Sequence, residues 1–256
     1  VTAGLLEVRG LCKRFGGLTA VAGVDFTVTE GQIKALIGPN GAGKTTILNM
    51  ISGALAPTAG EVRFEGASLP AGRPHAVAAR GVARTFQLVR LFGDMTVLEN
   101  VLVGCHRRGR AGWLSCALRS ARMREEERDL QRLAWDALGQ VGVAGRAHLA
   151  AGALPYGEQR LVEVARALAM APRLLLLDEP GAGLNAPELE RLATLIGQIR
   201  DAGTTVLLVD HHVDLVMDLS DEVLVLSYGQ KLAEGPPAAV RRNAEVIAAY
   251  LGEEAA

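Results

Sequence analysis

The sequence predicts an α/β fold, a mostly parallel core sheet with helices on both faces. Three observations predict it. From residue 154 onward, the near-continuous apolar runs "RLLLLDEP", "TTVLLVD" and "EVLVLSYG" alternate with helical patterns. Strands that are apolar throughout belong in a parallel sheet covered on each side. The run "GPNGAGKTT" (38–46) follows the strand "QIKALI" and opens a helix, which is the strand–loop–helix setting of a phosphate-binding loop. Finally, "LLLLDEP" (174–180) ends a buried strand on two adjacent acids, Asp178 and Glu179.

The elements follow in order. "LLEVRGLCKRFG" and "VDFTVTEGQIKALIG" are β-branched and partly alternating, broken at Glu30-Gly31, and read as strands. "GKTTILNMISG" reads as a helix ending at Gly53, and "AGEVRFEG" as a further strand between turns. The chain then changes character over about 89–165, a helical lobe inserted in the α/β core. Leu130, Leu133, Ala134, Ala137, Leu138 and Val141 recur at helical spacing. Upstream of them "RSARMREEERDLQR" reads as a solvated helix face, and "CHRRGR" (105–110) as a surface turn or a small anion patch. After Gly157 comes a helix whose stripe Leu161, Val164, Ala165, Leu168 and Ala169 is expected to be buried. A strand, a helix from Pro187 to Arg200, a strand, a short helix and a last strand complete the alternation.

Length and composition bound the rest. A chain of 256 residues, 49% of them apolar, suits a single domain, 1–256, with a sizeable core. A formal net charge of −1 and 4% aromatics argue against a nucleic-acid partner. Cys12, Cys105 and Cys116 are scattered and form no C-x-x-C pair, which points to a reducing compartment and no zinc site. The first residues, "VTAGLLEVRG", do not read as a signal peptide. No run reaches the about 18 apolar residues of a membrane span, so any membrane location is expected to be peripheral.

The phosphate loop implies nucleotide chemistry. Gly38, Gly41 and Gly43 let the backbone turn tightly with its N–H groups inward, and the helix that follows adds the positive end of its dipole. Lys44 can reach the β- and γ-phosphates, and Thr45 can offer its hydroxyl to Mg²⁺. Asp178 can hold the same Mg²⁺ directly or through water, and Glu179 can orient or deprotonate the attacking water. Buried acids need a metal or hydrogen bonds to stay charged. "DHHVD" (210–214) has a second reading, a metal site of Asp210, His211, His212 and Asp214. The reading preferred here separates the two histidines, with His212 on the surface.

Together these motifs, in this order and over nearly the whole chain, resemble the nucleotide-binding subunits of ABC transporters. The resemblance implies a P-loop NTPase of the ABC type, with an N-terminal antiparallel β subdomain and a helical signature subdomain beside the core sheet. It implies that ATP is held by Gly38, Asn40, Gly41, Gly43, Lys44, Thr45 and Thr46, with Phe15 stacked on adenine. It gives Mg²⁺ the ligands Thr45, Gln87 and Asp178, and gives catalysis Glu179, His211 as a γ-phosphate switch, and Gln87. Leu154, Pro155, Tyr156, Gly157 and Glu158 match the signature L-S-G-G-Q, used in trans on a partner's ATP. They depart from it at Pro155 for Ser, Tyr156 for Gly and Glu158 for Gln. Pro155 removes a capping hydroxyl, a loss of about 1 kcal/mol, though proline is tolerated at a helix entry. Glu158 is expected to point aside from phosphate or to cap the turn. Gly183, Leu184 and Asn185 match the loop that crosses the dimer, with Asn185 where many members have Asp.

"RTFQLVRLFGDMTVLENVLVG", the helical insert, "LDEPGAGLN" and "VIAAYLGEE" are similar to the longer ATPase subunit of branched-chain amino acid importers. The implied partners are transmembrane permease subunits, a second nucleotide-binding subunit, self or sister, in a head-to-tail pair, and indirectly a solute-binding protein. The implied place is the cytoplasmic face of the inner membrane. Importers of amides, urea or other amino acids, or an exporter, use the same engine, and a soluble ABC ATPase acting on nucleic acid or ribosomes is a remote alternative. A small-molecule kinase has no use for these motifs together.

Overall fold

The computed structural model describes residues 4–106 and 121–251. Most of the 105–110 run, the start of the charge-dense run, Cys116 and the last residues of the "VIAAYLGEE" ending lie outside them. Contacts divide the chain into two units. The first holds the residues up to Arg84, Arg173–Ala182 and those from Leu189 onward; the second holds Thr85–Pro172 and Gly183–Glu188.

The first unit contains two sheets. Strands β1 (Leu6–Phe15), β2 (Leu18–Val28), β4 (Ala59–Phe64) and β5 (Ala67–Ser68) form one, in the order β2-β1-β4-β5 with antiparallel pairing. The other runs β10-β9-β3-β8-β7-β6. It consists of β3 (Ile33–Ile37), β6 (Val82–Arg84), β7 (Leu174–Asp178), β8 (Thr205–Val209), β9 (Glu222–Ser227) and the antiparallel edge strand β10 (Gln230–Gly235). The pairs β9–β3, β3–β8, β8–β7 and β7–β6 are parallel. β3, β7 and β8 are buried along their whole length, as strands covered on both faces must be.

The register of this sheet decides what lies where. Leu36 pairs with Val209, and Asp178 pairs with the same Val209. The C-terminal ends of β3, β8 and β7 therefore coincide along one edge. Everything that follows those strands, namely the loop after Ile37, the turn after Val209 and the turn after Asp178, emerges side by side.

Helix α1 (Lys44–Ile51) ends at Ser52, and Gly53 follows with φ +72°. Its Ile47, Leu48 and Ile51 share a core with Leu6, Leu11 and Phe64 of the antiparallel sheet and Leu36, Leu176 and Leu207 of the parallel one. The sheets are further tied by Lys34, whose ammonium is buried. It donates to Thr27 O at 2.8 Å and Glu222 Oε2 at 2.9 Å, and also pairs with Glu234. Burial pushes the Glu234 carboxyl up, but hydrogen bonds from Lys34 and Lys231 prevail and hold it below its ordinary value. The remaining helices of this unit are α2 (Pro74–Ala79), α7 (Val213–Leu219), α8 (Pro237–Val240) and α9 (Ala244–Leu251). Helix α6 (Ala186–Asp201) begins in the second unit and continues in the first.

The second unit is helical. It packs α3 (Val97–Cys105), α4 (Ala121–Gln140) and α5 (Tyr156–Leu168) together. Thr96 and Glu99 form a reciprocal capping box at the start of α3. Asn100, fully buried, receives Phe92 N at 2.9 Å and donates to Phe92 O and Thr96 O at 3.0 Å, which pins the preceding loop. Gly104 lets α3 approach α5, since a Cβ there would lie 2.2 Å from Arg166 O.

Two expectations need correction. On α5, Leu161 and Leu168 are only half-buried, while Arg160, Val162 and Glu163 are buried with Val164, Ala165 and Ala169. The helix is enclosed on several sides, and polar backbone faces it, so charged side chains occupy positions expected to be apolar. His212 is half-buried rather than a surface residue, and its ring lies 4.4 Å from that of His211.

Candidate functional site

The phosphate loop connects β3 to α1. Gly38, Gly41 and Gly43 have φ of +148°, +77° and +100°, which only glycine adopts without strain. They differ in their surroundings. A Cβ on Gly38 would lie 2.2 Å from Leu226 O, and one on Gly43 would lie 2.7 Å from Ala20 O, whereas one on Gly41 would meet open space. The hairpin after β9 closes on the loop through Gly229 N–H to Ala42 O at 3.1 Å. Helix α1 starts on Gly43 with no side-chain cap, so its first turn presents backbone N–H groups, as an anion site requires. Lys44 is buried and donates to Gly38 O at 2.5 Å and Pro39 O at 2.8 Å, Thr45 is exposed, Thr46 is half-buried and Asn40 is exposed. The glycine loop, the uncapped first turn of α1 and the Lys44 ammonium together fit phosphate.

These contacts imply an ordering of glycine variants. Gly43→Ala meets both a left-handed φ and a backbone oxygen, at a cost of about 1–3 kcal/mol. Gly41→Ala meets the φ alone, about 1 kcal/mol. In a thermal-shift titration with nucleotide, Gly43→Ala is expected to weaken nucleotide-dependent stabilisation the more; equal responses would contradict this.

The carboxylates lie at the end of β7. Asp178 is buried and its Oδ2 accepts from Arg84 Nη2 at 2.8 Å; Arg84 Nη1 also donates to Asn49 Oδ1 at 2.7 Å and Ser52 Oγ at 3.0 Å. Arg84 thus ties Asp178 to the far end of α1. Sequence reading passed over it, because the register of β6 on β7 (Arg84 opposite Leu176) is what brings it alongside Asp178.

Glu179 takes a left-handed φ of +47°, with its N–H donated to Val209 O at 2.7 Å. A non-glycine residue there stores about 1–3 kcal/mol of strain, and the conformation turns its side chain away from the line of the strand. His211 Nδ1 lies 3.8 Å from Glu179 Oε2 and 3.9 Å from Asp210 Oδ1. Asp210 itself is buried and fully used: its Oδ2 accepts from Gly181 N at 3.0 Å, and its Oδ1 accepts from His212 N at 3.0 Å and contacts His212 Nδ1 at 2.7 Å. Asp210, His211 and His212 are near enough to share a metal, but Asp214 is not among them, and the hydrogen bonds of Asp210 make it a brace for the turn after β7. Phe15 is 49% exposed, with the Lys13 ammonium 5.1 Å from its ring centre. The phosphate loop, Asp178, Glu179 and His211 are therefore brought to one sheet edge within the first unit.

Gln87 and the signature residues belong to the second unit. Gln87 is exposed; its carbonyl accepts from Arg160 Nη2. Leu154 is buried, while Pro155 and Tyr156 are exposed. Pro155 forms the N-terminus of α5 without a side-chain cap; Gln159 N donates to Pro155 O at 3.0 Å and Gln159 Nε2 to Leu154 O at 2.8 Å. Glu158 is turned onto Arg146, at 3.2 Å. A Cβ on Gly157 would lie 2.5 Å from Glu188 Oε1, and one on Gly183 would lie 3.1 Å from the Tyr156 ring. Leu184 is half-buried. Asn185 and Glu188 cap the start of α6 reciprocally, each backbone N–H on the other's side-chain oxygen at 3.0 Å. Glu188 was not foreseen; the N-x-x-E spacing ahead of an apolar run is the signal that could have found it.

Residues 21–182 match the family model described as ABC transporter, and residues 230–256 match that of the branched-chain amino acid ATP-binding cassette transporter. The chain is 45% identical over 250 residues to the high-affinity branched-chain amino acid transport ATP-binding protein BraF of Pseudomonas aeruginosa, covering 97% of this chain and 98% of the relative. It is 43% identical, with the same coverage, to the corresponding protein LivG of Escherichia coli. Among solved structures, an ATP-binding cassette of an ABC transporter in its ADP conformation matches with a TM-score of 0.85 and 30% identity, over 98% of this chain and all of that one. A nucleotide-free ATP-binding cassette from an ABC transporter matches with a TM-score of 0.84 and 30% identity, over 97% and 99%.

Proposed function

The chain belongs to the ABC transporter ATP-binding family, and we propose that it hydrolyses ATP to drive uptake of branched-chain amino acids. The observation that carries the ATPase reading is the shared edge of β3, β8 and β7, where the phosphate loop, His211, Asp178 and Glu179 emerge together. Near-full-length identity to BraF and LivG supports the solute class.

The residues divide the work as follows. The N–H groups of the loop and of α1 bind the phosphates, and Lys44 exchanges its carbonyl partners for β- and γ-phosphate oxygens. Thr45 and Asp178 would hold Mg²⁺, which would supply charge neutralisation to the phosphates. Glu179 accepts the proton of the attacking water, and His211, beside it, faces the γ-phosphate. Phe15 offers its ring to adenine. A second such subunit, self or sister, would cap the nucleotide with Leu154–Glu158, and Gly183–Asn185 would cross between the two.

Among the described residues no helix is long and apolar enough to span a membrane. The proposed location, the cytoplasmic face of the inner membrane, rests on docking to permease subunits. Exposed Phe86, Leu88 and Phe92 around and after Gln87 support that docking, and a solute-binding protein would act through the permease.

Deleting the gene is expected to abolish uptake of labelled leucine, isoleucine and valine, restored by the wild-type gene and not by a Lys44→Ala copy. Intact uptake of all three, with loss of amide or urea uptake instead, would move the same engine to another solute.

A further inference from the structure

The second unit contains a charged cluster that nucleotide binding does not explain. Arg160, 2% exposed, lies on α5 one turn beyond the signature tip. Its Nη1 donates to Phe86 O at 2.6 Å and its Nη2 to Gln87 O. Glu163, also 2% exposed, accepts from Phe86 N at 3.3 Å and pairs with Arg160 at 3.1 Å and with Arg166 at 3.8 Å. Arg166 in turn donates to Arg90 O at 2.6 Å. The backbone of 86–90 is thus held by three charged side chains of a single helix.

The other end of the cluster reaches the signature. The Tyr156 ring lies 5.5 Å from the Arg160 guanidinium carbon, within cation–π range, and its edge meets Gly183. Burial pushes the Glu163 carboxyl up against the pull of Arg160 and Arg166. Charges this deep are retained only where their hydrogen bonds are well made. A buried ion pair is a weak source of net stability, so the position of this one calls for another reason.

We propose that Arg160 is a positioning residue for Gln87: seated under Tyr156 and clasping the Phe86 and Gln87 carbonyls, it fixes the signature tip, the 183–185 loop and the Gln87 segment as one block. Tyr156, a departure from the family signature, is then the lid of this clasp. The planar guanidinium spans two carbonyls at once, which an ammonium cannot do. Capture of nucleotide at the tip is in this way felt at Gln87 without a change in the helix itself. The link to turnover rests on the ATPase reading; the block itself does not.

The test compares the full chain with Arg160→Lys, which keeps the charge, and with Arg160→Met/Glu163→Met, which removes both partners of the fully buried pair and leaves Arg166 on the Arg90 carbonyl. Three quantities are read: affinity for a fluorescent ATP analogue, hydrogen exchange of amides 86–90, and kcat and KM for ATP. Both variants are expected to bind the analogue with wild-type affinity, to exchange 86–90 at least about tenfold faster, and to lose about tenfold or more in kcat with KM unchanged. Tyr156→Gly is expected to shift the same amides in the same direction. Unchanged exchange at 86–90 in both Arg160 variants would overturn the block, and faster exchange with unchanged kcat would overturn the positioning role. A wild-type chain that hydrolyses no ATP would sink the ATPase reading, while exchange would still decide the block.

Discussion

Glu179→Gln is expected to keep ATP binding and lose hydrolysis, with kcat down by about 10²–10⁴-fold, the range of a general base. The substitution is nearly isosteric. It leaves the N–H of residue 179 on Val209 O and places no new atom near His211, so the turn keeps its shape. It removes only the ability to take a proton from water. Because Lys44 and the loop N–H groups lie on other elements, nucleotide affinity stays within about threefold, since no phosphate contact is lost. Two measurements decide it: steady-state phosphate release, and equilibrium binding of ATP. On the proposed pairing of two such subunits, with hydrolysis parting them, the variant is also expected to accumulate as an ATP-dependent dimer in sedimentation, while wild type does not. Turnover near wild type would remove Glu179 from the role and pass it to His211, 3.8 Å away.

Arg84→Met is expected to have the largest effect on stability. Removing one partner of a buried ion pair costs about 3–5 kcal/mol. For a chain of this size that corresponds to a fall in Tm of about 6–20 °C. The loss has two parts, the Asp178 carboxylate and the Asn49 and Ser52 contacts on α1. Adding Asp178→Asn removes the first part and is expected to return a substantial fraction of the Tm, although the double variant lacks the carboxylate proposed to hold Mg²⁺. Differential scanning calorimetry of the single and double variants measures this. A single variant melting within about 2 °C of wild type would show that the pair contributes little, and non-recovery in the double variant would place the whole effect on α1.

These two residues show how far the sequence could be read. The phosphate loop, Asp178, Glu179 and His211 were legible because each follows a strand whose apolar run marks it as central, and parallel strands deliver their C-terminal ends to a common edge. Arg84 was not legible. Its importance comes from β6, three residues long, and from a pairing register that no local pattern encodes. Arg160 and Glu163 were hidden for the opposite reason: a strong apolar periodicity on α5 suggested a simple buried stripe, and polar side chains that serve backbone carbonyls and amides leave no periodic trace. The histidine pair was misjudged because Asp210, buried beneath it, draws His212 inward. The roles of the signature and of Gln87 came from resemblance, since a P-Y-G-E run carries little local signal beyond a helix entry.

The packing of Gly157 on Glu188 couples two distant positions of the chain. The space that a Cβ at 157 would need is already filled by a carboxylate that also caps the next helix. A change at 157 therefore disturbs a helix start thirty-one residues away, and a change at 188 frees room at 157 that was never open before. A larger side chain at 157 is accommodated only by moving the Glu188 carboxylate, and with it the cap on the Asn185 amide.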